Sequence, residues 1–202
     1  MSRNIIAILR GIQPHEAADI CAALIDAGIT RIEVPLNSPE PFKSIGILAE
    51  GLKGRATIGA GTVLTPEQVD ELKSVGGTLV VSPDCNPAVI DRSKELGMLS
   101  FPGVASPTEC FTALRHGADG LKFFPGFLVG AKGLAAISAV LPKGTKTYAV
   151  GGAGPENFGE WFDAGVTGFG IGSALYKPGM TAGEVGEKAR AIVAAYDAGQ
   201  PA

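Results

Sequence analysis

Histidine and cysteine are scarce in this sequence, and their scarcity narrows the chemistry available to it. The two histidines, His15 and His116, are too few and too badly placed for a metal site. The three cysteines, Cys21, Cys85 and Cys110, form no CxxC pair and stand beside no histidine pattern. An odd count also speaks against a disulfide framework. Long hydrophobic runs are missing as well: none reaches the roughly 18 residues that a membrane span requires. The opening stretch MSRNIIAILRG has too short an apolar part, too close to an arginine, for a secretory signal. A cytoplasmic protein is expected. Nor is charge of one sign clustered. A net charge of -3 with scattered positive residues leaves no electrostatic footprint for nucleic acid or an anionic membrane. No linker and no low-complexity segment interrupts the 202 residues. One domain over residues 1–202 is expected, with room for a sizeable core.

What the chain has in abundance is glycine, 29 residues, in a background that is 46% hydrophobic and 18% charged. That composition is globular, and so many glycines imply many tight turns or close backbone approaches. Short β-branched runs alternate with longer helical ones. Strands are predicted at Ile5–Leu9, Arg31–Leu36, Thr57–Ala60, Thr78–Ser82, Leu99–Pro102, Gly120–Phe124, Thr147–Val150 and Thr167–Gly170. Helices are predicted between them at about His15–Ala27, Pro39–Leu52, Pro66–Val75, Pro87–Leu96, Pro107–His116, Lys132–Val140 and Pro155–Ala164, with a last one from about Ala182 to Asp197. The segments TPEQ, NPAV and SPTE each place a capping residue before a proline at the first helical position. Gly28, Gly76, Gly97, Gly117 and Gly165 mark helix ends. Near-continuous apolar strands suit a parallel sheet under helices, and eight βα repeats with short links give an α/β fold, a closed (β/α)8 TIM barrel. The alternative is an open doubly wound sheet; no GxGxxG follows the first strand to support it.

In such a barrel the chemistry lies at the C-terminal ends of the strands. Lys122, in GLKFFP, interrupts a buried strand. If it faces the lumen, Leu121 and Phe123 face the helices. An unpaired buried ammonium costs several kcal/mol, so the group tends to lose its proton and becomes a nucleophile for carbonyl carbon. The alternative is a lysine that snorkels to water or pairs with a carboxylate. Glu33, in RIEVPLNSP, points inward by the same parity. A Glu33–Lys122 salt bridge is one reading. A general acid/base beside a nucleophile is the other, and barrel interiors filled by apolar side chains favour it. Arg10 ends the first strand and suits a carboxylate, although arginines at strand ends are often only solvated. Gly151 and Gly152 follow strand seven, and Gly172 and Ser173 follow strand eight, where barrels hold phosphate on backbone N–H groups. Thr62 ends strand three, with either a lumenal hydroxyl or a turn role. Cys21 and Cys110 read as packing, and Phe123 and Phe124 as core.

The segments AILRG, IEVPLNSP, IGAGTVLTPEQ, VVSPD, FPGVASPTE, LKFFPG, AVGGAGPEN and GIGSALY, in that order and spacing, resemble the class I aldolases that cleave 2-keto-3-deoxy-6-phosphosugar acids, over nearly the whole chain. The resemblance implies that Lys122 forms a Schiff base with the C2 ketone, that the C3–C4 bond breaks to an enamine, and that Glu33 shuttles protons. It implies pyruvate and D-glyceraldehyde 3-phosphate as products. It also places Arg10 and Thr62 near the pyruvate carboxylate, and Gly151, Gly152, Gly172 and Ser173 at the phosphate. It implies no metal or organic cofactor, a small phosphorylated 2-keto-3-deoxy sugar acid as partner, and a homotrimer. Two features favour the galactonate branch over the gluconate branch. PLNSP stands where the gluconate enzymes tend to carry an arginine-containing LRT, and Val150 stands where they tend to carry threonine. A threonine hydroxyl can bond one C4 epimer and a valine cannot, a preference on the order of 1–2 kcal/mol, so dual activity stays open. After LKFFP the run Gly126–Gly130 lacks the serines or small polar residues of related enzymes, which leaves only backbone contacts to phosphate there. A phosphosugar isomerase or synthase using Glu33 as base, and a non-catalytic phosphosugar binder, are the competing readings.

Overall fold

The computed structural model describes residues 3–200. Met1 and Ser2, at the head of the opening stretch, and Pro201 and Ala202, at the end of the expected 1–202 domain, lie outside the described residues. Within them, strands and helices alternate. The strands are β1 (Ile5–Ile8), β2 (Arg31–Pro35), β3 (Thr57–Gly61), β4 (Leu79–Val81), β5 (Leu99–Phe101), β6 (Gly103–Val104), β7 (Leu121–Phe123), β8 (Thr147–Val150) and β9 (Gly168–Ile171). The helices are α1 (Ala17–Asp26), α2 (Pro41–Gly51), α3 (Pro66–Ser74), α4 (Pro87–Glu95), α5 (Pro107–Arg115), α6 (Gly126–Ser138), α7 (Phe158–Asp163) and α8 (Ala182–Gly199).

All strand pairs are parallel, in the order β5-β4-β3-β2-β1-β9-β8-β7-β6. The two ends of that order, β5 and β6, are consecutive pieces of chain separated by Pro102 alone. They are one barrel strand in two parts; the predicted strand, Leu99–Pro102, ends at the break and leaves out Gly103–Val104. Proline brings no N–H to the ladder, so a strand breaks at it. The first part pairs with β4 and the second with β7. The Pro102 carbonyl still accepts from Lys122 N–H at 2.9 Å. The ring thus closes as a (β/α)8 barrel.

The helix starts follow their caps. Thr65 and Gln68 form a reciprocal capping box, Asn86 accepts from Ala88 N–H, and Ser106 accepts from Glu109 N–H. The five predicted stop glycines all have positive φ. α6 is the exception in shape. It begins at Gly126, earlier than predicted, and breaks at Gly130, where φ is 65° and ψ 165°; its second part covers the predicted segment from Lys132 as far as Ser138, two residues short of the predicted end at Val140.

Two apolar layers result. Outward residues such as Ile32, Val34, Leu121 and Phe123 join the helices in the main core. Ile6, Leu79, Val81, Phe101 and Tyr148 form a separate cluster inside the ring. Two aromatic rings fit that narrow space because a neighbour has no side chain: a methyl group on Gly120 would stand 2.8 Å from the Phe101 ring and 3.1 Å from that of Tyr148. The floor is closed by polar contacts, with Arg31 donating to Asn4 Oδ1 at 2.9 Å and to the Tyr148 hydroxyl at 3.1 Å.

Candidate active site

Above that floor lie two abutting cavities. The inner one, about 10 Å³, is enclosed by Glu33, Lys122, Tyr148, Val150 and the apolar lumen residues. The outer one, about 180 Å³, is lined by Arg10, Phe124, Gly151, Gly152, Gly172 and Ser173, among others. Ile8, Val150 and Gly170 belong to both walls. A larger cavity, about 760 Å³, lies at the opposite end of the strands between α2 and α3 and holds none of the predicted site residues.

Lys122 comes from β7 and Glu33 from β2, half the ring apart along β2-β1-β9-β8-β7. They face each other across the lumen, and both are buried, at 7% and 2% exposure. Among the described residues, neither makes a salt bridge, and Glu33 Oε2 has no hydrogen-bond partner. Burial pushes the Glu33 carboxyl up to about 7, against the opposing pull of Lys122 and Arg10. Burial likewise pushes the Lys122 amine below its ordinary value; Glu33 acts against that shift and Arg10 adds to it. The two groups are therefore shifted toward their neutral forms by the same cause, removal from water. An amine pushed toward its neutral form by burial, opposite a carboxyl pushed up to about 7, suits nucleophilic attack with proton transfer.

The outer cavity gathers the predicted anion-binding elements. Gly151 and Gly152 have φ of 86° and 84°, a left-handed backbone that favours glycine. Their carbonyls are engaged, accepting from Phe127 N–H at 3.0 Å and Asn157 Nδ2 at 2.8 Å. Among the described residues, the N–H groups of Gly151, Gly152 and Ser173 find no acceptor. Arg10 shares this outer cavity and does not line the inner one. Thr62 lines neither cavity; it is half-buried with φ of 56°, a conformation rare for a β-branched residue. Gly126–Gly130 does not line the outer cavity either, and its Phe127 and Leu128 are exposed.

Four contributors were not anticipated. Asn37 Oδ1 accepts from the Arg10 guanidinium, and Ser38 Oγ accepts from Gly11 N–H at 2.9 Å, so the loop after β2 fixes the loop after β1. Gly61 ends β3 against Glu33: a methyl group there would overlap all three terminal atoms of the carboxylate. Phe124 is half-buried and lines the outer cavity, in contrast to Phe123, which is core as expected. Its sequence signal is parity, since it stands two residues beyond Lys122 and shares the lumenal side.

A parallel (β/α)8 barrel with an amine–carboxyl pair inside and a glycine-lined cavity above defines a barrel enzyme whose site suits carbonyl chemistry. The sequence model of the KDPG and KHG aldolase family matches residues 1–190, and the chain belongs to that family: it is a class I aldolase, a carbon–carbon lyase. A "probable 2-dehydro-3-deoxy-6-phosphogalactonate aldolase" of Rhizobium meliloti (strain 1021) is 51% identical over 98% of this chain and 93% of its own. The 2-dehydro-3-deoxy-6-phosphogalactonate aldolase of Escherichia coli (strain K12) is 47% identical over 95% of this chain and 94% of its own. A solved native KDPGal structure superposes with a TM-score of 0.96 at 45% identity, covering 98% of this chain and 97% of that one.

Proposed function

We propose that this aldolase cleaves 2-dehydro-3-deoxy-6-phospho-D-galactonate to pyruvate and D-glyceraldehyde 3-phosphate, with Lys122 as the Schiff-base residue and Glu33 as the proton shuttle. The observation that carries this reading is the buried, unbridged Lys122–Glu33 pair directly beneath the glycine-lined cavity. The Lys122 amine lone pair bonds to C2, and the carbonyl oxygen, protonated, leaves as water. The resulting C=N⁺ accepts the electron pair of the C3–C4 bond as Glu33 takes the C4 hydroxyl proton. The aldehyde departs, and the enamine is then protonated at C3 and hydrolysed to pyruvate. Gly151, Gly152, Gly172 and Ser173 hold the phosphate; the family resemblance assigns Arg10 and Thr62 to the carboxylate end, and of the two only Arg10 reaches a cavity wall, that of the outer cavity. Val150 belongs to both cavity walls, between imine and phosphate, where C4 falls; its lack of a hydroxyl supports the galactonate epimer. The enzyme acts as one (β/α)8 unit in the cytoplasm, as a homotrimer; no helix of the described residues is long and apolar enough to cross a membrane.

The test is incubation with pyruvate and borohydride, followed by intact mass and peptide mapping. An adduct located at Lys122, absent from Lys122→Ala, is expected. A folded wild-type protein that forms none would remove the Schiff-base mechanism. Steady-state kinetics on the two C4 epimers decide the substrate: the galactonate epimer is expected to have the higher kcat/KM, and a preference for the gluconate epimer would overturn the assignment.

A further inference from the structure

Lys122 Nζ sits over the face of the Phe124 ring, 4.6 Å from its centroid. The ring is half-buried and lines the outer cavity, while Lys122 lines the inner one. We propose that Phe124 is a further catalytic group, whose π face stabilises the positive charge that iminium formation places on Nζ. The proposal rests on the Schiff-base reading of Lys122.

The charge balance of the step makes the ring's role specific. A neutral amine adds to the ketone, the N–C bond forms, and the oxygen is protonated to a hydroxyl. Loss of that hydroxyl as water consumes one proton overall and leaves C=N⁺. A cation is thus created in a closed, largely apolar space. The charged and titratable groups that face Nζ are few. Arg10, beyond β1, repels a cation, and Glu33, on β2, offsets one only while ionised. Glu33 cannot remain ionised through the cycle if it also carries the proton. Tyr148, the register neighbour on β8, has its hydroxyl engaged with Arg31 at the floor. While Glu33 is protonated, the negative face of the Phe124 ring is the electrostatic partner that the protein itself offers the iminium, beside the substrate's own carboxylate, and burial strengthens that attraction.

The same reasoning separates an electrostatic role from simple packing. Below the amine's own pKa the free enzyme already carries N⁺ over the ring, so charge is present before and after imine formation. Above it, charge appears only with the iminium. The test installs 4-fluoro-, 3,5-difluoro- and 3,4,5-trifluorophenylalanine at position 124, which drain the π face while nearly keeping its shape. The pyruvate concentration giving half-maximal borohydride trapping is measured at a pH on each side of the wild-type amine's pKa. At the higher pH it should rise stepwise along the series, by on the order of tenfold at the last member, and Phe124→Leu should move it the same way. At the lower pH the series should be flat. A flat series at the higher pH, with normal trapping at Lys122, overturns the ring's role and leaves the Schiff base standing. An equal rise at both pH values also overturns it, because packing does not depend on where the charge starts. Absence of any adduct in the wild type instead overturns the Schiff-base reading, and this proposal with it.

Discussion

A carboxyl group that titrates near 7 is both a donor and an acceptor at working pH, and Glu33 is held there by burial. The same burial carries a stability cost. The folded state keeps a proton that an unfolded carboxyl, near its ordinary 4.5, has already released, so Glu33's contribution to stability falls as pH rises from about 4.5 to 7. Glu33→Gln removes that loss. The variant is expected to gain on the wild type steadily across this window, to a plateau on the order of 3 kcal/mol above it, while turnover falls by roughly 10²–10⁴. Denaturant titrations at several pH values check the first part and steady-state rates the second. A constant stability difference across the window would show that the carboxyl is not held up by burial, and unchanged rates would remove Glu33 from the chemistry. Val150 offers a second test at this scale. Val150→Thr introduces the hydroxyl that one C4 epimer can bond, so the galactonate-to-gluconate ratio of kcat/KM should fall by about tenfold. An unmoved ratio would place C4 elsewhere.

At the scale of elements, the site is a property of strand parity, and parity is what short parallel strands make legible. Ile32 and Val34 join the outer core while Glu33 looks inward; Leu121 and Phe123 bracket Lys122 in the same way. A charge inside an apolar run therefore announces itself, and Gly151–Gly152 and Gly172–Ser173 after the last two strands mark the C-terminal end of the barrel. Other contributors leave weaker signals. Asn37 reaches Arg10 across 27 residues of chain, a contact between loops that no periodicity encodes. Phe124 looks like core because an aromatic residue fits either face. Gly61 gives no signal in the sequence, because what it contributes is the absence of a side chain. Pairing places Gly59 beside Glu33 in the β2–β3 ladder, and Gly61 lies two residues further on the same side. The carboxylate leans across that empty position. Gly61→Ala should displace it toward solvent, at a stability cost of roughly 1–3 kcal/mol. A displaced carboxylate regains water, so the acidic limb of the kcat/KM profile should move down in pH while the pyruvate adduct still forms at Lys122. A slower enzyme with an unshifted acidic limb would mean that Gly61 serves only packing.

For the molecule as a whole, the ring must be closed twice, once in the sheet and once in the helical layer. Pro102 closes the sheet by dividing one strand between two neighbours. The helical layer is closed by α8, which packs on α1 and α7. Tyr196 of α8 is buried at 1% exposure, its ring centroid 5.2 Å from that of Phe162 and 6.1 Å from that of Phe169. Its hydroxyl accepts from Asn4 N–H at 3.2 Å, which ties the last helix to the head of the first strand. This anchor lies at the N-terminal end of the strands, while Lys122, Arg10 and the glycine pairs lie toward the other. Stability and chemistry should therefore separate. Tyr196→Ala removes a buried aromatic ring and should cost about 3–5 kcal/mol, a fall in Tm of roughly 10 °C for a chain of this size. Tyr196→Phe keeps the ring and loses one hydrogen bond, for about 1 kcal/mol. Well below the melting temperature of either variant, kcat and pyruvate trapping per folded molecule should match the wild type. Calorimetry measures the first quantity and low-temperature kinetics the second. If Tyr196→Ala lowered kcat in the fully folded protein, the floor and the mouth of the barrel would be mechanically coupled, and the division of labour between the two ends would not hold.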